Sequence, residues 1–196
     1  MKKENIFFNI DLAGCIIRFT FESNNFQNPM KEIQKHFLPF KTNNAKILFE
    51  IIVSDKKASA TSNHNKIILN SKQTNLHRII VIIRMFLRNF LHKNSGFLIH
   101  CAANKLNNKV AIVHLGNSRA GKSTISEMLN SRFVKFIDDI AIIRRINKKW
   151  YIFQSHLFEK NKVNKSGNGL QIRYIYLLKK SLKMESVEEV NEQKKF

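Results

Sequence analysis

Cysteine is nearly absent from this sequence: Cys15 and Cys101 are the only two in 196 residues. Two thiols in this length make neither a disulfide framework nor a Cys-based zinc site, and they suit a reduced, cytoplasmic protein. Long apolar runs are missing too. The most apolar stretch, "IIVIIRMFL", is interrupted by Arg84 and falls far short of the ~20 residues a membrane span needs, so no span is expected. After the opening Met1, Lys2 and Lys3 the apolar stretch is broken by Glu4, Asn9 and Asp11, so no secretory signal is expected either.

Acidic residues are the next shortage. Fourteen Asp and Glu stand against 34 Lys and Arg, a formal net charge of +20. Such an excess points towards a polyanionic partner such as nucleic acid, an acidic membrane or a phosphorylated substrate. Glycine (6), proline (2) and tryptophan (1) are also scarce, while Lys, Asn, Ile and Phe abound. Those four share A/T-rich codons, so codon bias is a competing explanation that could produce the charge without selection for binding. The lysines are spread along the chain rather than gathered into an arm. No segment interleaves aromatic and basic residues on one face, as a single-strand binder requires. A specific nucleic-acid partner is therefore not expected.

Hydrophobic residues form 43% of the chain, enough for a buried core. The sequence reads as a β-rich lobe over 1–73 followed by a second unit over 74–196, packed as one compact domain. "NIFFNIDLAGCIIRFTF" predicts two strands around a turn at "DLAG". "KILFEIIVSD" and "NKIILN" predict two more strands, and "NPMKEIQKHF" a helix. Over 74–93 the period changes: Leu76, Ile79, Ile80, Ile83, Phe86, Leu87, Phe90 and Leu91 recur at helical spacing, with Thr74 or Asn75 as cap. A hairpin (97–103, 109–115) follows, then a helix in "KSTISEMLNSR", a strand in "FVKFIDDIAIIRR", and strands in "KWYIFQSHLF" and "RYIYLLKK" around the polar loop "EKNKVNKSGNG". The charged tail from 183 is expected to be a short helix or disordered. Sixteen phenylalanines in so short a chain leave room for a homo-oligomer that covers apolar surface.

The chemistry concentrates in one stretch. Gly116, Asn117, Ser118, Arg119, Ala120, Gly121, Lys122 and Ser123 fit G-x-x-x-x-G-K-[ST], with Thr124 next. Glycines let successive backbone N–H groups converge on one anion, and the helix that follows aims its N-terminus at the same point. Lys122 suits the β- and γ-phosphates of a nucleotide, and the Ser123 hydroxyl suits Mg²⁺. An apolar strand before the motif and an amphipathic helix after it supply the expected context. Some 15 residues later Asp138 and Asp139 interrupt an apolar strand. Two carboxylates there cost burial energy unless a metal or a cleft receives them, which suits Mg²⁺ binding and acceptance of a proton from a hydroxyl. His100 ends the strand "FLIH" ahead of the hairpin. His114 reads as a structural neighbour.

The run from "FLIHCAANK" to "SRFVKFIDDIAII" resembles the nucleotide-binding core of the HPr serine kinase and PEP-carboxykinase superfamily: His, hairpin, glycine-rich loop, helix, then a strand bearing Asp-Asp. "RYIYLLKK" and "IDLAGCIIRFTF" resemble a late strand and the opening strand pair of HPr-kinase-related proteins. The resemblance implies a mixed-sheet α/β fold that uses ATP and Mg²⁺. It carries Lys122 and the loop onto the phosphates, Ser123 onto the metal, one of Asp138 and Asp139 onto the metal and the other onto the role of base, with Asp139 favoured as the base and Asp138 as the metal ligand, and His100 onto the active-site histidine. Departures are Arg119 in place of a loop glycine, Thr124 in place of Glu, no visible Pro-Trp-Gly pattern, and a chain that stops soon after "LLKK". The expected function is a kinase that transfers the γ-phosphate to a hydroxyl of a protein, peptide or small molecule; the alternative is a nucleotide-binding switch or scaffold.

Overall fold

The computed structural model describes residues 6–22, 27–55, 65–155, 157 and 169–180. The polar loop 159–169 lies almost wholly, and the charged tail from 183 entirely, outside the described residues. The fold is mixed α/β with two sheets.

In the first sheet, β1 (Ile6–Leu12) and β2 (Cys15–Phe21) form an antiparallel hairpin. Its two-residue turn needs positive φ at both positions, and Ala13 (φ 58°) and Gly14 (φ 86°) supply it. The Asp11 carboxylate closes the turn by accepting from the Gly14 N–H at 2.6 Å. α1 (Gln27–Phe37) then carries the chain back so that β4 (Phe49–Ser54) pairs parallel with β2. β5 (Lys66–Asn70) pairs parallel with β4, and the two-residue β3 (Lys41–Thr42) lies on the other edge, giving the order β3-β1-β2-β4-β5. The central strands β2 and β4 are buried on both faces, which is why they read as continuous apolar runs rather than as alternation.

α2 (Leu76–Lys93) lends its apolar stripe to this first sheet. Ile79, Ile83, Leu87 and Leu91 share one core with Ile10, Ile17, Phe19 and Ile51. The two residues expected to cap α2 divide the work. The Asn75 side chain accepts from the Arg78 N–H at 2.9 Å, while Thr74 donates to the Asn70 carbonyl at 2.7 Å and finishes the preceding 3₁₀ turn. Seven phenylalanines are spent inside this core, with Phe8 stacked on Phe19 (4.7 Å between centroids) and Phe49 on Phe86 (4.5 Å). Among the described residues no helix is long and apolar enough to cross a membrane.

The second sheet closes on itself. β6 (Gly96–Lys105) and β7 (Val110–Gly116) form the expected hairpin. β8 (Lys135–Ile146) pairs with the other side of β6, β9 (Lys149–Gln154) with β8, and β10 (Leu170–Leu178) with both β9 and β7. The result is a five-stranded barrel in the order β10-β7-β6-β8-β9. So few strands leave a narrow interior, and small side chains such as Ala103, Ala111 and Ala141 suit it, interleaved with Val113, Ile137 and Ile152. α3 (Lys122–Met128) is shorter than its sequence suggested and passes into a 3₁₀ turn over Leu129–Ser131.

Candidate functional site

Register places the motif stretch and the Asp pair side by side. Ala102 of β6 faces His114 of β7 on one side and Asp138 of β8 on the other. These three residues lie in one row across the ladder and point to one face. β7 ends two residues after His114, so the segment 117–121 leaves the barrel beside Asp138. α3 then crosses the same face.

What holds α3 there is a polar group that sequence reasoning did not single out. Asn104 is fully buried. Its amide donates to the carbonyls of Ser126 on α3 (2.9 Å) and of Phe133 beyond it (2.8 Å). With its nitrogen so engaged, its oxygen faces His114 Nε2 at 3.1 Å, which assigns the proton to Nε2. His114 is 1% exposed, and burial holds its pKa below the usual histidine value. Its Nδ1 finds no partner among the described residues, as a neutral ring in a dry site allows. The ring stacks on Tyr176 of β10 at 6.0 Å between centroids.

The segment itself needs unusual backbone. Gly116 has φ 154°, and a Cβ there would stand 2.7 Å from the Leu178 carbonyl and 3.0 Å from Ala120 Cβ. Gly121, which precedes α3, has φ 92°. Between them Arg119 takes the left-handed conformation at φ 64°, which a side chain with a Cβ adopts at some cost. Ala120 N–H returns to the Asn117 carbonyl at 3.1 Å, so the segment is a closed turn. Asn117, Ser118, Arg119 and Thr124 are exposed. Lys122 is buried (7% exposed) and its ammonium donates to the carbonyls of Gly116 (2.9 Å) and Asn117 (3.0 Å). An ammonium carries three donors, and these carbonyls engage two.

The aspartates part company. Consecutive residues of a strand leave it on opposite sides. Asp138 Oδ1 accepts from Ser123 Oγ at 2.6 Å, whereas Asp139 Oδ1 lies 3.7 Å from His100 Nε2. The His100 side chain is 61% exposed and Asp139 only 26%, so the imidazole stands at the surface over a half-buried carboxylate. Two further charges that sequence reasoning missed complete the group. Lys135 Nζ lies 2.8 Å from Asp138 Oδ2 and 3.2 Å from Glu127 Oε2. The register between β6 and β8 shifts around Phe136, and this bulge brings Lys135 to the side of Asp138 despite their three-residue spacing. Glu127 was legible as the residue one helical turn after Ser123; Lys135 carried no local signal.

Among the described residues no group of three or more His, Cys, Asp or Glu side chains is placed to hold a metal ion. Hard oxygen donors do meet at Ser123 and Asp138, which suits a cation that takes one carboxylate, a hydroxyl and the oxygens of a substrate. A separate cavity of about 810 Å³ opens elsewhere, lined by Phe49, Phe90 and Arg144 among others; no residue of 116–124 lines it.

No protein-family model matches the chain, nor does any curated protein. Among solved structures, the HPr(Ser) kinase/phosphatase from Coxiella burnetii is similar, with 17% sequence identity and a TM-score of 0.32. The match covers 47% of this chain and 66% of that one, just under two thirds of its length. A likeness at this level marks at most a distant relationship.

Proposed function

We propose that this chain is an ATP-dependent, HPr-kinase-like phosphotransferase that passes the γ-phosphoryl group to a hydroxyl of a serine-containing protein or peptide, or of a small molecule. The observation that carries the reading is the 2.6 Å contact between Ser123 Oγ and Asp138 Oδ1 where the glycine-bounded segment meets β8. Residues 116–124 are read as a phosphate-binding loop: Gly116 gives the backbone the closeness that a Cβ would deny, and Lys122 turns from its own loop carbonyls to the β- and γ-phosphates. Ser123 and Asp138 would hold Mg²⁺, which when bound neutralises charge on the phosphate oxygens. Asp139 takes the proton of the acceptor hydroxyl as that oxygen bonds to the γ-phosphorus. The bond from phosphorus to the bridging oxygen breaks, and ADP leaves. His100 steadies the Asp139 carboxylate.

A second reading, a nucleotide-binding switch or scaffold, is favoured by two details. Lys122 already commits two of its three ammonium donors to loop carbonyls, and Arg119 occupies a left-handed position that suits glycine. Incubation with γ-labelled ATP and Mg²⁺, with and without cell extract, separates the two. The kinase reading expects label transfer or ATP consumption, weaker ATP binding in Lys122→Ala, and intact binding with turnover reduced ~10²- to 10⁴-fold in Asp139→Asn. ATP binding without turnover under either condition leaves the switch. Equal ATP affinity in wild type and Lys122→Ala sinks the loop assignment.

A further inference from the structure

The ammonium of Lys135 is enclosed by carboxylates from two different elements, Asp138 on β8 and Glu127 on α3. Its side chain is only 19% exposed. The two oxygens of Asp138 are thereby divided: Oδ2 serves the ammonium and Oδ1 meets Ser123. Lys135 thus lies against the carboxylate that the proposed function assigns to the metal.

We infer that Lys135 is a resident countercharge for Asp138, which keeps divalent cations off the free protein and makes metal entry depend on the nucleotide. The inference rests on the proposed role of Ser123 and Asp138 as metal donors. A dication on Oδ1 would share one carboxylate with an ammonium 2.8 Å from its other oxygen. Like charges so close, in a half-buried setting, lower affinity by roughly tenfold or more. One carboxylate already paired with a cation offers little net charge to a hydrated Mg²⁺, which sheds water reluctantly. Phosphate oxygens arriving at the loop would supply the missing negative charge, so nucleotide and metal bind as a pair. A purely structural salt bridge between Lys135 and Asp138 makes a different forecast: its loss would lower the melting temperature and leave metal affinity unchanged.

The test uses Mn²⁺ alone as the probe, on the full chain without nucleotide, with free Mn²⁺ followed by electron paramagnetic resonance. Wild type is expected to bind weakly, Lys135→Met roughly tenfold or more tightly than wild type, and Lys135→Arg like wild type. Equal or weaker Mn²⁺ binding by Lys135→Met overturns the inference. Should that variant not fold, Glu127→Gln alters an exposed carboxylate and leaves the ammonium to Asp138 alone. It should bind Mn²⁺ more weakly than wild type, and unchanged or tighter binding overturns the inference. In a second arm, the Mg²⁺ concentration that half-saturates binding of a fluorescent ATP analogue should fall in Lys135→Met. Failure of every variant to bind the analogue at any Mg²⁺ concentration counts against the proposed function, while the Mn²⁺ arm still decides the countercharge.

Discussion

Replacing Asn104 by Leu should be among the most damaging single changes in the second sheet. The side chain is fully buried and makes three hydrogen bonds, to the carbonyls of Ser126 and Phe133 and to His114 Nε2. A net hydrogen bond contributes about 1 kcal/mol, but stranding a buried partner costs about 1–3 kcal/mol because its desolvation is no longer offset. The buried Ser126 carbonyl and the imidazole N–H are stranded together, while the part-buried Phe133 carbonyl can turn to water. His114 suffers most, since its Nδ1 already finds no partner among the described residues. Leucine returns some apolar burial, so the expected loss is about 3–5 kcal/mol, a large part of the ~5–15 kcal/mol that stabilises an ordinary domain. Urea unfolding at pH 7.5, followed by far-ultraviolet circular dichroism, measures it. The imidazole share can be isolated with Asn104→Leu, His114→Leu and the double variant. The two changes should be less than additive by about 1 kcal/mol, because removing both partners leaves no orphan between them. A loss under about 1 kcal/mol for Asn104→Leu would show that water satisfies these groups and that Asn104 does not anchor α3.

Arg119→Gly should stabilise the fold by about 1 kcal/mol by relieving a left-handed residue, less what glycine gains in the unfolded chain; a destabilised variant in the same urea assay would refute this. Burial holds the folded-state pKa of His114 below its unfolded value, so its contribution is whole above the unfolded pKa and is lost as pH falls below that value towards the folded one. Wild type should therefore lose stability between pH 7.5 and 5 by more than His114→Gln does, and parallel pH profiles would contradict the assignment. Burial pushes the Cys15 thiol up to about 12, with the Asp11 charge adding to it, so iodoacetamide at pH 8 should label Cys15 only after denaturant is added. Rapid labelling of the native protein, located by peptide mapping, would show that the β1–β2 turn opens.

How much of this was legible in the sequence depends on distance along the chain. The β1–β2 hairpin, α2 and the strand–turn–helix at 110–128 announce themselves within a few residues, through a turn-prone Ala-Gly, a helical apolar period and a glycine-bounded Lys-Ser. Asp138 stood out because a charged pair inside an apolar strand is costly. The pairing of β7 with β10 did not, because it joins Gly116 to Leu178 and no local preference encodes it. Asn104 reaches Ser126 and Phe133 across 22 and 29 residues, so the polar residue in an apolar hairpin was visible but its partners were not. Lys135 looked like one lysine among 25. Only the irregular register around Phe136 brings it to Asp138. β3 is two residues long and leaves no pattern.

The closure of the barrel also bears on the order in which the chain can take shape during synthesis. All but two buried residues of the first core lie before residue 92, so the first sheet and α2 can assemble while the rest is still being made. Gly116 is different. Its neighbours across the ladder are Leu178 and the rest of β10, translated some sixty residues later. A nascent chain that has emerged from the ribosome as far as residue 160 would hold β6, β7 and β8 and both aspartates, yet would lack the strand against which the turn at 116–121 is seated. Protection of that turn from protease should therefore arrive late and in one step, once β10 has cleared the ribosomal tunnel, rather than growing with chain length.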